Sequence, residues 1–263
     1  MSFSIPTMSS YLKRRSTAAS VSSSLLLHFD GASGGSIVDS STNNVAITLN
    51  TYTGSPGLST TAFKFGTASF ANAAAGGGLG YITFPNTNFN FGSSDFTIDF
   101  WWNPQTEPNN NTGVIPMHHL NSNFDSTNQM VVPGISMRRN SRTSNNIMLI
   151  MSQDGVTTPI SGVFHADGIF ETPPLATPWQ HIALERYGSL LTLYVNGTGQ
   201  TVSGALTGNI YYNAANPFAF GGAYANYTSS GLISQAYYDE LRIIKSSMYK
   251  GANFTPPTSA YTS

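Results

Sequence analysis

Apolar and polar residues alternate with a period of two along much of this chain. In Phe96-Thr97-Ile98-Asp99-Phe100-Trp101-Trp102, the residues Phe96, Ile98, Phe100 and Trp102 share one face; Thr97, Asp99 and Trp101 take the other. Between residues 179 and 197, Ile182, Leu184 and Arg186 alternate with His181, Ala183 and Glu185, and Leu191, Leu193 and Val195 repeat the period. A Tyr187-Gly188-Ser189 turn joins these two segments. The second runs into Asn196-Gly197, a type I′ signal, because both central residues of that turn need positive φ. This predicts a meander of at least three antiparallel strands. Further short strands are predicted at 25–29, 62–66, 68–70, 81–84, 147–151, 162–165, 217–221 and 231–244. Brief strands punctuated by Gly, Pro and Asn, with hardly any helical period, predict an all-β sandwich or jelly roll.

Residues 1–24 carry no sustained period and read as an N-terminal docking arm, 25–245 as the sandwich, and 246–263 as a tail packing on the sandwich or a neighbour. Hydrophobic residues make up 40% of the 263 and aromatics 12%, enough for a sizeable core, while charged residues are only 9%, against about 25% in an average soluble domain. The surface is therefore neutral and rich in hydroxyls and amides. A net charge of −1 argues against a nucleic-acid partner. Lys13, Arg14 and Arg15 all lie in the arm; without these three of the eleven basic residues, eight face twelve acidic ones. Cysteine is absent, so disulfides and thiol chemistry are excluded. The apolar run Leu25-Leu26-Leu27 is too short for a signal-peptide core of roughly 7–15 residues, and no stretch approaches the ~20 of a membrane span. The expectation is a protein made in the cytoplasm, without a membrane partner.

The order of the motifs points further. LLLHFDG, FKFGTASF, YITFP, FNFGSSDFTIDFWWNP, WQHIALERYGSLLTLYVNG, AFGG and ISQAYYDELRI follow one another over roughly residues 25–245. Together they resemble the laminin-G-like, concanavalin A-like lectin-glucanase sandwiches. The closing KSSMYKGANFTPPTSAY resembles the tail after such domains in tailed-phage structural proteins. A long Asn- and Ser-rich insertion at about 103–146 has no counterpart in that pattern. The resemblance implies a two-sheet antiparallel jelly-roll with a short arm. It also implies a structural calcium ion held by Asp30, the Gly66 carbonyl and Asp239; oxygen donors suit this hard cation. The alternative for the same residues is an Asx-type turn at Asp30-Gly31, with Asp239 merely accepting backbone N–H bonds.

Candidate chemistry is sparse. None of the twelve acidic residues lies two positions from another, as the paired acids of related glycoside hydrolases do. Asp95 and Asp99 are about 13 Å apart along a strand at ~3.3 Å per residue, beyond the roughly 5–9.5 Å that glycoside hydrolysis needs. No G-x-S-x-G elbow supports a serine triad. His118-His119 is read as solvated rather than zinc-binding, His181 and Glu185 as surface or cross-strand partners, and Gly76-Gly77-Gly78 as a flexible turn. Trp102 and Trp179 read as core. Trp101, on the opposite face, and Tyr224 and Tyr227, in a tyrosine-rich region, are the candidates for ligand stacking. The function expected is non-enzymatic: a phage virion component (capsid decoration, head fibre or tail appendage), multi-copy or homo-oligomeric, displayed outside the particle. Its arm would dock on capsid or tail subunits through Lys13, Arg14 and Arg15. The alternative is a host-attachment module binding a surface glycan; a glycoside hydrolase ranks third.

Overall fold

The structure, a computed structural model, describes residues 22–72, 78–105, 117–119, 134–141, 144–157, 160–164, 179–202, 206–215, 217–222 and 236–262. The predicted arm with Lys13, Arg14 and Arg15, the residues Tyr224 and Tyr227, and most of the 103–146 insertion lie outside them. Fifteen strands are described: β1 (Leu25–Leu27), β2 (Thr48–Thr53), β3 (Gly57–Ser59), β4 (Ser69–Asn72), β5 (Leu79–Phe84), β6 (Phe96–Pro104), β7 (Met117–His119), β8 (Ile135–Ser141), β9 (Ser144–Met151), β10 (Ile160–Phe164), β11 (Gln180–Tyr187), β12 (Leu190–Val195), β13 (Thr198–Val202), β14 (Phe218–Phe220) and β15 (Ala236–Ile244). A 3-10 turn at Asn86–Asn88 follows β5.

All pairings are antiparallel. One sheet runs β13-β12-β11-β6-β15-β4-β3, with β1 also on β15; the other runs β10-β9-β8-β7-β14-β5-β2. The fold is an all-β, concanavalin A-like sandwich. Two strands inside the 103–146 insertion, β7 and β8, are central to the second sheet, so the insertion is partly framework.

The alternation read from sequence sets the register. Ile182, Leu184 and Arg186 pair with Phe100, Ile98 and Phe96 on β6, and Leu193 pairs with Leu184. The apolar members, with Trp102, Leu241 and Ile243, belong to one core cluster that also takes Ile82, Phe84, Phe218 and Phe220 from the facing sheet. Phe100 meets Phe220 edge-on at 5.0 Å, bridging the layers, and Phe84 stacks on Phe218 at 5.0 Å. Arg186 ends the row differently. Its guanidinium donates to the carbonyls of Gly92, Gly188, Leu206 and Gly208, closing one end of the sandwich.

The turns behave as their residues dictate. Asn196 and Gly197 have φ of +50° and +79°, as the type I′ geometry needs. Three predictions are corrected. Segment 62–66 is an irregular turn, because its backbone N–H groups serve a carboxylate described below. Phe29, with φ +57°, leaves the first strand at Leu27. The polar strand β2, exposed on both faces, has no apolar alternation and was not predicted.

Trp102 is 1% exposed, whereas Trp179 is only half-buried, which corrects its reading as core. Trp102→Ala should therefore cost roughly 3–5 kcal/mol, and Trp179→Ala less than about 2 kcal/mol. Urea denaturation of the two variants beside wild type measures both.

Candidate functional site

Two places merit a chemical reading: the outer face of the first sheet near Asp239, and a cavity at the edge of the second.

A β-bulge prepares the first. On β15, Asp239 pairs with Trp101 and Arg242 with Asp99, so three steps on one strand match two on the other. Glu240, at φ +54°, absorbs the extra residue. Alternation would otherwise send Arg242 inward; the bulge resets it, so Leu241 and Ile243 join the core while Arg242 meets Asp99 on the outer face. Asp239 and Glu240 are both fully buried.

The three residues implied as calcium ligands come together around one turn. Asp239 Oδ2 accepts the N–H groups of Lys64 (2.7 Å) and Phe65 (3.0 Å). Asp30 Oδ1 accepts those of Thr67 (2.5 Å) and Ala68 (3.3 Å) and the Thr67 hydroxyl. Gly66, at φ +66°, lies so close to Asp30 that a Cβ there would collide with the carboxylate. The two acids thus cap the 64–68 turn from both ends. That is backbone capping, the alternative reading of these residues, with one difference: Asp39, rather than Asp30, organises a side-chain turn of its own, holding Leu26, Ser41 and Val45. Asp239 Oδ1 has no hydrogen-bond partner although it is buried. Burial pushes the Asp239 carboxyl up to about 8. Beside it His28 Nδ1 contacts Glu240 at 2.9 Å, a bond that raises the imidazole above its usual value. Among the described residues no three His, Cys, Asp or Glu side chains converge as metal ligands. An ion here would take its remaining oxygens from backbone carbonyls and water.

Trp101 is not a stacking platform. It is 5% exposed, with the Lys64 ammonium 4.0 Å from its ring centre, Phe65 edge-on at 5.9 Å and His181 at 5.1 Å. His181 and Glu185, read as surface or cross-strand partners, are buried cross-strand neighbours: His181 pairs with Trp101, and Glu185 pairs with Thr97 and accepts its hydroxyl at 3.2 Å. The cover is residues 246–262. Glu185 accepts the N–H groups of Met248, Tyr249 and Gly251. Tyr249 donates to Asp99 at 2.5 Å and stacks on Phe254 at 3.6 Å. The Tyr261 N–H goes to Glu240, and its hydroxyl meets His181 Nε2 at 2.8 Å. Burial, then the charge of Asp99, raises both phenols.

The second place is a cavity of about 320 Å³ where β2, β5 and the segment before β14 meet, lined among others by Thr48, Thr83, Phe84, Asn86, Ala215 and Pro217. Asn86 is 1% exposed; its Nδ2 donates to the Asn213 carbonyl, and its Oδ1 lacks a partner. Nothing in the hydropathy pattern marks the cavity, since it joins the end of the predicted strand β5 to an unpatterned strand and two loop segments.

A family model described as the concanavalin A-like lectin/glucanases superfamily, of laminin-G type, matches residues 76–249. The chain belongs to this superfamily. Among solved structures, this concanavalin A-like domain is similar to botulinum neurotoxin type C, which depends on interaction with two ganglioside molecules to get into cells. Identity is 16% and the TM-score 0.58, over 86% of this chain and 48% of that one. It is also similar to the binding domain of botulinum neurotoxin DC, solved with SialylT (14% identity, TM-score 0.58, 86% and 48% covered) and with rat synaptotagmin II (14%, 0.57, 86% and 49%). The chain spans about half the length of these structures, and at such identity the likeness concerns the fold. No curated protein sequence matches the chain. Nothing in these comparisons supports the virion role expected from the sequence.

His181 yields a pH prediction. Burial lowers its imidazole from 6.5 to about 4, so the folded state holds it neutral beside Asp99. Between pH 6.5 and about 4 the unfolded chain binds a proton that the native state refuses, so this group's contribution is complete above pH 6.5 and is lost as pH falls to 4. The loss is roughly 3 kcal/mol. Asp239 has the opposite linkage, because its raised carboxyl binds a proton more readily in the folded state. The measurement is therefore a difference: the stability of wild type relative to His181→Phe should decline across that window, and a constant difference refutes the assignment.

Proposed function

We propose that this chain is a carbohydrate-binding module without catalytic activity of its own. The observation that carries this reading is the use the fold makes of its acids. Each of the eight acidic side chains among the described residues is engaged: Asp99 by Arg242, Glu240 by His28 and the Tyr261 N–H, and Asp30, Asp39, Asp95, Asp154, Glu185 and Asp239 by backbone N–H groups. A glycosidase needs one acid free to give a proton and another to assist attack. Among the described residues the carboxylates are spent on holding turns and strands. A lectin-type sandwich whose described acids are all engaged in this way is suited to bind sugars rather than cleave them, and the ganglioside and SialylT associations of the structural neighbours agree with this. Applied to an array of neutral and sialylated glycans, the full chain should retain at least one glycan and release no reducing sugar from it. Turnover, or a blank array, would overturn the reading.

A structural cation is proposed as part of the same module. The donor set is all oxygen, as Ca²⁺ prefers, and the orphaned Asp239 Oδ1 is a ready ligand, with Asp30 and the Gly66 carbonyl as its companions. The ion would fix the 64–68 turn to β15. Thermal unfolding after EDTA treatment should show a lowered midpoint that millimolar Ca²⁺ restores; identical midpoints would remove the ion from the account.

A further inference from the structure

We infer that the cavity bounded by Thr48, Thr83, Phe84, Asn86, Ala215 and Pro217 is a binding subsite for one neutral sugar residue. This rests on the carbohydrate-binding reading above and assigns it a place and a ligand class. The lining has no ionisable side chain. Its chemistry is hydroxyl, amide and hydrocarbon, and these match the two aspects of a pyranose: a rim of hydroxyls and a face of C–H groups. A carboxylate- or phosphate-bearing ligand would enter without a counter-charge and lose its hydration uncompensated.

The polar groups are held in place before any ligand arrives. Thr83 is 7% exposed, and its Oγ1 accepts the Asn50 Nδ2 at 2.9 Å, which leaves the hydroxyl proton to be donated. Asn86 is anchored through Nδ2 to the Asn213 carbonyl at 2.9 Å, and its backbone carbonyl accepts the N–H of Phe89. The amide oxygen remains a buried acceptor without a donor. An unpaired acceptor of this kind favours a hydroxyl-bearing occupant. Phe84, 1% exposed and stacked on Phe218, is a rigid apolar boundary, while Pro85, Ala214 and Ala215 are exposed at the mouth. A volume of about 320 Å³ sits at the small end of ligand pockets, roughly 300–1,000 Å³. One ring fits; a branched oligosaccharide would extend outward from it.

The test uses the full chain and free sugars: galactose, glucose, mannose, N-acetylglucosamine and, as the charged comparator, sialyllactose, by saturation-transfer NMR with titration of any that bind. Ala215→Trp fills the mouth from an exposed turn position, and Thr83→Val removes a donor while keeping the shape; unfolding midpoints confirm that both fold. The expected result is that wild type binds at least one neutral sugar and that each variant binds it at least tenfold more weakly. If neutral sugar binds wild type and both variants alike, the subsite is overturned and the binding reading stands. Binding of sialyllactose alone overturns the neutral class. If no sugar binds and the glycan array is blank as well, both fall together.

Discussion

A carboxylate taken out of water must be given donors, and much of this molecule follows from that requirement. Asp99, Glu185, Asp239 and Glu240 lie on or beside the outer face of the first sheet with almost no exposure. In an ordinary sandwich that face would be wet and its acids free. Here the donors come from far along the chain: the N–H groups of 64 and 65 for Asp239, and those of 248, 249, 251 and 261 for Glu185 and Glu240. Truncating one partner of such a set leaves a buried group unpaired, which costs more than the bond itself contributes. Sheet, turn and strap are thereby joined by electrostatics as well as by hydrocarbon contact.

The bulge at Glu240 makes this arrangement geometrically possible. Strict alternation cannot send Leu241 and Ile243 inward while also presenting both Asp239 and Arg242 outward. One extra residue at positive φ resolves the conflict locally. A non-glycine residue in that conformation is held against its intrinsic preference, and the pair of bonds from Glu240 to His28 and to the Tyr261 N–H holds it there. The same detail brings Asp239 to the 64–68 turn, where Gly66 accommodates Asp30. The proposed cation site is therefore a by-product of a register shift.

The interior was readable from the chain because it obeys a simple period. Phe96 to Trp102 and Ile182 to Val195 announce their inward faces, and Asn196-Gly197 announces its turn. The outer face of the first sheet was not readable, for the same reason: polar residues at alternate positions look solvent-facing whether or not something covers them. Trp101 was misread on that ground, and His181 and Glu185 are cross-strand partners but covered ones; the covering residues lie some 36 to 80 positions away in sequence. Segment 62–66 looked like a strand because Phe63 and Phe65 alternate, yet its N–H groups are bonded to Asp239. The metal candidates emerged from motif order alone, since nothing local links residues 30, 66 and 239. The cavity was invisible beforehand, because nothing local links the end of β5 to an unpatterned edge strand and two loops.

The strap has a bearing on how the molecule matures. The Phe254 N–H donates to the Gly197 carbonyl, and a Cβ on Gly197 would strike the Phe254 carbonyl oxygen, so the hairpin leaves room only for backbone laid directly on it. Yet this covering segment is translated after every strand of the sheet it seals. While the ribosome is still reading toward residue 246, the nascent sheet can pair its edges but must keep its acids hydrated. Closure therefore follows synthesis of the sheet, and until it happens Asp99, Glu185 and Glu240 lack the donors that the segment supplies.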